Sequence, residues 1–212
     1  MLDSLQVADI ITFGSYPQEA DGTVKPIEWQ VLAVEDGKAL VISLYGLDAK
    51  PYNSKWADVT WESCSLRTWL NEEFYQTAFQ ASEQQIIEET LVINQNNPIY
   101  AIPGGNDTRD KVFLLSLEET LQYFGLTKNS GDIDQSVYCY GDAVLGQATN
   151  YAISRGAKEN GWWLRSPGEQ SYEAAYVSNY NERYASSFYV HGDGVGVTIE
   201  VNSVRPALWI NP

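Results

Sequence analysis

The chain has 212 residues, 44% of them hydrophobic and 19% charged, with a formal net charge of −15. That length accommodates one large domain with a substantial core, and no apolar stretch approaches the ~18 residues that would span a bilayer. The negative field opposes approach to phosphate backbones and to anionic lipid, which argues against nucleic acid as a partner.

The N-terminus, MLDSLQVADIITFGSYPQ, lacks the basic start, apolar core and small-residue cleavage site of a secretory signal, and localisation stays open. Ile10 to Tyr16, Ile27 to Val34 and Ala39 to Tyr45 are β-branched and aromatic runs, read as three strands. Glu35-Asp36-Gly37-Lys38 carries an Asp-Gly turn signal, so the second and third strands form a hairpin. From Trp61 to Phe79 the spacing of Leu66, Trp69, Leu70 and Phe74 predicts an amphipathic helix. A second helix is expected from Ser82, with Gln85 at capping-box spacing ahead of Ile86 and Ile87. Val112 to Leu115 reads as a strand feeding a third helix, which begins at Ser116 with Glu119 at the same offset and ends at Gly125. Residues 94–110 and 127–134 are rich in Asn, Gly, Asp and Pro and read as surface loops. With no internal repeat and no linker, residues 1–212 are expected to form one α+β domain. Cys64 and Cys139 lie outside any CxxC pair and are expected to be buried, reduced thiols.

The segments ITFGSYPQ, PIEWQVLAVEDGKALVIS, WESCSLRTWLN, DKVFLLSLEE, GWWLRSPG and VRPALWI stand in the order seen in an uncharacterised bacterial domain family. That family resembles the C-type-lectin-like proteins, in the broad version shared with formylglycine-generating enzymes and with the variable proteins of diversity-generating retroelements. The match runs nearly end to end. It implies a C-type-lectin-like fold: small twisted antiparallel sheets, flanking helices and long loops that display a binding surface. Within GWWLRSPG, Trp162 and Trp163 point to opposite faces if extended, and Arg165 can direct five donors to carbonyls or a carboxylate. This motif, like Arg205 and Trp209 in VRPALWI, reads as part of the frame.

Function is expected in the segment 169–193, EQSYEAAYVSNYNERYASSFYVHGD. Tyrosine gives amphipathic contact area at low entropy cost, while Ser and Asn supply adaptable hydrogen bonds, the mixture that antibody loops favour. Tyr172, Tyr176, Tyr180 and Tyr184 are spaced by four, which places them on one side of either a helix or a strand. The resemblance favours strand, turn at Asn179 to Glu182, and strand. The expected contact set is Tyr172, Tyr176, Asn179, Tyr180, Asn181, Arg183, Tyr184, Tyr189, His191 and Asp193, facing a protein or glycan. The bland alternative is that these tyrosines simply pack over the sheet. In the retroelement-diversified relatives, exposed positions just before the final strand vary through adenine-directed mutation, and this segment uses much of the same alphabet.

Catalysis finds little support in the pattern. His191, the only histidine, excludes any two-imidazole site, falls in an expected turn (HGDG), and reads as a contact residue rather than a relay. Neither cysteine stands in the final strand region, where the formylglycine-generating relatives would imply a reactive one. Asp132, Asp134 and Ser136 resemble the opening of a calcium loop but lack its glycine, and the EPN and WND sugar motifs are absent. The pairs Glu88-Glu89 and Glu118-Glu119 read as solvent-facing charge. The expectation is therefore a non-catalytic recognition module without cofactor or metal. An enzyme of unrecognised type and an assembly module are the alternatives, and oligomeric state stays open.

Overall fold

The computed structural model describes residues 5–131, 135–178 and 188–211. Asp36 and Gly37 both adopt positive φ, 49° and 79°, the tight reversal whose twist matches its flanking strands. They close a hairpin between β2 (Val24–Glu35) and β3 (Lys38–Ser43). β1 (Ile10–Pro17) pairs antiparallel with the outer edge of β2, so the first three expected strands are present. The chain leaves this sheet through β4 (Asp48–Ala49).

The first helical stripe is present with its start shifted. Cys64 caps α1 (Ser65–Trp69), its Sγ accepting from the Arg67 N–H at 3.4 Å. The helix widens through a π-helical turn at Leu70–Phe74 and continues as α2 (Tyr75–Ala78). Leu66, Leu70 and Phe74 face the core. The second expected helix is corrected. α3 (Ala81–Gln84) is a single turn, the carboxylate of Glu83 accepts from the Gln80 N–H at 2.8 Å, and Ser82 is not its cap. It stops because the following residues have better partners. Ile87 bridges Ile210, and Glu88 N–H donates to the Trp209 carbonyl at 2.9 Å.

The expected loop 94–110 is also more structured than its composition suggests. β5 (Thr90–Val92) pairs with β6 (Thr108–Asp110), and Asn97, 1% exposed, points its amide at the carbonyls of Pro167, Gly168 and Gly192. Val112 to Leu115 is fully buried but is not a strand; Phe113 makes one isolated bridge to Ala207. It leads into α4 (Leu117–Phe124), where Ser116 and Glu119 bond reciprocally at 3.1 and 2.9 Å and Gly125 closes in the left-handed region at φ 59°. This is the capping box and glycine stop read from the sequence.

β7 (Thr127–Lys128), β8 (Val137–Tyr140), α5 (Asn150–Ser154), β9 (Trp162–Pro167), β10 (Glu173–Ser178), β11 (Tyr189–Gly196), β12 (Ser203–Val204) and β13 (Ala207–Ile210) follow. A four-stranded sheet runs β1-β2-β3-β13, and a seven-stranded one β4-β12-β9-β10-β11-β8-β7. The architecture is thus α+β, small sheets with few and short helices. Asp132 and Asp134 lie outside the described residues.

The chain passes between the two large sheets twice, after β3 and again between β12 and β13. Arg205 sits at the second passage, 1% exposed, with its guanidinium between the rings of Phe124 and Trp162 and its Nε donating to the Ser43 carbonyl at 2.7 Å. Burial without a countercharge pushes its pKa down to about 9. Arg165 in β9 takes the other buried guanidinium role. It forks onto the Glu119 carboxylate, one arm at 2.7 Å, and also reaches the carbonyls of Leu114 and Ile93. Glu119 is therefore a structural partner and not the free surface acid that its helical position suggests. Trp162 and Trp163 are both fully buried on opposite faces of β9, their indole N–H groups donating to Val144 and Lys50 carbonyls. Both cysteines are buried free thiols. Among the described residues no helix is long and apolar enough to cross a membrane.

Candidate recognition site

β10 and β11 are antiparallel neighbours, so alternation sorts their residues between two faces. Val177 and Val190 pair on one face and are wholly buried in the core. Tyr176 and His191 pair on the other, their rings stacked with centroids 4.6 Å apart and planes 8° from parallel. Ser178 stands two residues along the same face, its Oγ 3.1 Å from His191 Nε2. Asp193 Oδ1 lies 3.8 Å from His191 Nδ1, beyond hydrogen-bond length. Burial, reinforced by the Asp193 carboxylate, pushes the Tyr176 phenol up to about 12. It therefore stays a protonated donor at neutral pH.

The strand register also explains why Asp193 is turned toward this group. Between the Ala174–Val195 and Tyr176–His191 pairs, β11 carries two more residues than β10. The excess is absorbed near Gly194, at φ 78°, where an added Cβ would come within 2.8 Å of the Gly168 Cα. Only glycine fits such a bulge. His191 thus lies within a strand, a correction to the expected HGDG turn.

Of the expected contact set, Tyr176, His191 and Asp193 are brought together. Tyr189 adjoins them on β11 but is 1% exposed, so its ring is packing material as described. Tyr172 stands apart, its ring 4.9 Å from that of Trp56, a tryptophan 61% exposed that the sequence reading did not single out. Asn179, Tyr180, Asn181, Arg183 and Tyr184 lie outside the described residues.

Beside Tyr176 and Ser178 is a cavity of about 320 Å³. Its far wall comes from residues that sequence reasoning missed: Lys158, Glu159, Asn160 and Asn202. Two backbone bonds hold that wall in place, Lys158 N–H to the Val201 carbonyl at 2.7 Å and Ser203 N–H to the Gly161 carbonyl at 2.8 Å. Gly161 lets the Asn202 side chain approach, since a Cβ there would lie 2.9 Å from Oδ1. Asn202 is 3% exposed, and its Nδ2 has no hydrogen-bond partner. An unsatisfied buried amide costs about 1–3 kcal/mol, which makes it a feature to be explained rather than ignored. The only hint in the sequence was an Asn immediately before a buried run.

A wider, more open groove of about 590 Å³ lies between β1, β2 and residues 148–150. There Glu19 already binds both Lys25 and Asn150, so the polar groups satisfy one another. No group of three or more metal-ligating side chains occurs among the described residues.

Comparison with known proteins gives one match. A family model described as a domain of unknown function, DUF6273, fits residues 36–212. No curated protein and no solved structure matches the chain.

Proposed function

We propose that this chain, which belongs to the DUF6273 family, is a non-catalytic recognition module. In this reading residues 1–212 are one domain of C-type-lectin-like fold, and the outer face of β10 and β11 is offered to a protein or glycan. The observation that carries the reading is the grouping of Tyr176, Ser178, His191 and Asp193 on one strand face, with Tyr176 and Ser178 lining a cavity. Binding pockets typically combine an apolar or aromatic wall with a few convergent polar groups. Tyrosine is among the residues that dominate interface energetics. Support from composition is independent: the segment around these residues has the Tyr, Ser and Asn mixture of adaptable binding surfaces.

The test is a screen of the purified protein against an immobilised glycan array and a random-peptide library. Ligands recovered there are expected to bind Tyr176→Ala protein at least tenfold more weakly, with its thermal midpoint within a few degrees of the parent. Ligands indifferent to that change would place recognition elsewhere.

A relation to retroelement-diversified variable proteins is a narrower form of the same proposal. It predicts substitutions concentrated at adenine positions in the codons for 169–204 among closely related isolates, beside a template repeat and a reverse-transcriptase gene. An invariant segment without that cassette removes it and leaves one fixed ligand.

A further inference from the structure

Of the seven tryptophans in the chain, four are fully buried and two are partly so; Trp56 alone is exposed, at 61%. Apolar residues scattered singly over a surface are ordinary, but Trp56 is both paired and seated. Its ring lies 4.9 Å from that of Tyr172, with the planes 32° apart. Its six-membered ring also rests on Gly196, where an added Cβ would come within 2.7 Å of Cζ3. The backbone beneath is tied across three segments. Asn53 N–H donates to the Val197 carbonyl at 2.8 Å, Val197 N–H to the Tyr172 carbonyl at 3.0 Å, and Val59 N–H to the Ser171 carbonyl at 3.0 Å. The Asn53 amide holds the Lys55 carbonyl at 2.8 Å, and the Ser171 hydroxyl donates to Asp58. The result is an aromatic platform fixed in advance of any contact, with most of its tryptophan surface left to solvent.

Charge selects what would lie on it. In these segments, residues 53–59, 169–173 and 195–200, the one cation Lys55 faces four acids: Asp58, Glu169, Glu173 and Glu200. Glu173 pairs directly with Gly196 across the strands, so it shares the face on which the Trp56 ring rests. Burial, with the Glu169 carboxylate beside it, holds the Glu173 carboxyl above its usual range, a strain that a neighbouring cation relieves. An aromatic face attracts cations, and the guanidinium suits this one best because it is planar, weakly hydrated and able to fork onto a carboxylate. We propose that Trp56 and Tyr172 form a docking platform for an arginine side chain from a basic segment of a partner protein, with Glu173 supplying the countercharge. The platform stands apart from the Tyr176 group, so the inference goes beyond the recognition reading of that face and does not depend on it.

The probe is a terminally blocked Gly-Arg-Gly peptide, compared with the same peptide carrying citrulline, which keeps the planar shape of the guanidinium and lacks its charge. Isotope-labelled protein is titrated at about 0.15 M salt, which screens the diffuse charge of the rest of the molecule. The arginine peptide is expected to shift the Trp56 indole N–H and the Gly196 amide, saturating with a dissociation constant on the order of 1–10 mM, and the citrulline peptide to bind about threefold more weakly or worse. Trp56→Leu keeps apolar cover over Gly196 but removes the π face, and Glu173→Gln removes the charge but keeps an acceptor. With native-like spectra, each should weaken the Gly196 response about threefold or more. No shift at Trp56, or an equal response to citrulline, overturns the platform. A Gly196 response that Trp56→Leu leaves unchanged overturns it too, since the attraction would then belong to net charge alone. None of these outcomes touches the Tyr176→Ala test, so the two readings fail separately.

Discussion

Tyr176 and Tyr189 show how far composition reaches at the scale of single residues. Both belong to the same tyrosine-rich stretch, yet Tyr189 is 1% exposed while Tyr176 lines a cavity. Tyr189→Ala should cost about 3–5 kcal/mol in urea unfolding, the range for removing a buried aromatic. Equal losses at Tyr176 and Tyr189 would assign both to packing. Arg165 was legible as a frame residue because a guanidinium beside two tryptophans needs partners, although its carboxylate partner Glu119 was read as surface charge. Arg165→Ala removes the guanidinium from that carboxylate, which among the described residues keeps only the Ser116 N–H, and from two carbonyls, and should cost about 3–5 kcal/mol by the same measurement. The buried acids give a pH dependence. Burial pushes the thiols of Cys64 and Cys139 up to about 12 from an ordinary value of 9.0. Groups raised in the folded state contribute stability that is fully present below the unfolded value and is lost as pH rises through the folded one. The urea midpoint should therefore hold to about pH 9 and fall between pH 9 and 12, and neither thiol should react with an aromatic disulfide reagent at pH 8 until the protein is unfolded. Rapid native labelling would contradict the burial of these groups.

Elements whose signals are local were legible; those decided by distant partners were not. The Asp36-Gly37 hairpin and the Ser116–Glu119 box each specify a few consecutive residues, and both stand where they were expected. Ser116→Ala should lower stability by about 1 kcal/mol, the usual worth of such a cap, read as a shift of the urea midpoint without change in slope. By contrast, α3 ends early because Ile87 and Glu88 turn to pair with β13, more than a hundred residues later in the chain. Val112 to Leu115 has the composition of a strand, but its neighbours leave it a single bridge. The proposed recognition face follows the same rule. Strand alternation puts Tyr172 and Tyr176 on one side, but a register shift between Ala174 and Tyr176 intervenes and Tyr172 stands apart beside Trp56; the wall of Lys158, Glu159, Asn160 and Asn202 arises only when residues 158–161 meet 201–203. No sequence period connects those segments.

Across the whole molecule, the two large sheets are joined at positions where polar or small residues are deeply buried. Arg205 occupies one passage; near the other, Gly46 lies so close to Ser203 that an added Cβ would fall 2.0 Å from its Oγ. These joints set β9, β10 and β11 against the core, and the proposed function assigns specificity to the side that bears Tyr176. Function would then belong to a surface on a rigid support, and loss of binding should be separable from loss of folding. The most direct measurement pairs the two properties in Tyr176→Ala and Tyr189→Ala: binding to ligands recovered from the glycan array or peptide library, and urea stability. The account predicts that Tyr176→Ala binds at least tenfold more weakly while keeping its midpoint, and that Tyr189→Ala loses stability first. A Tyr176→Ala protein that binds as the parent does, or that unfolds as readily as Tyr189→Ala, contradicts it.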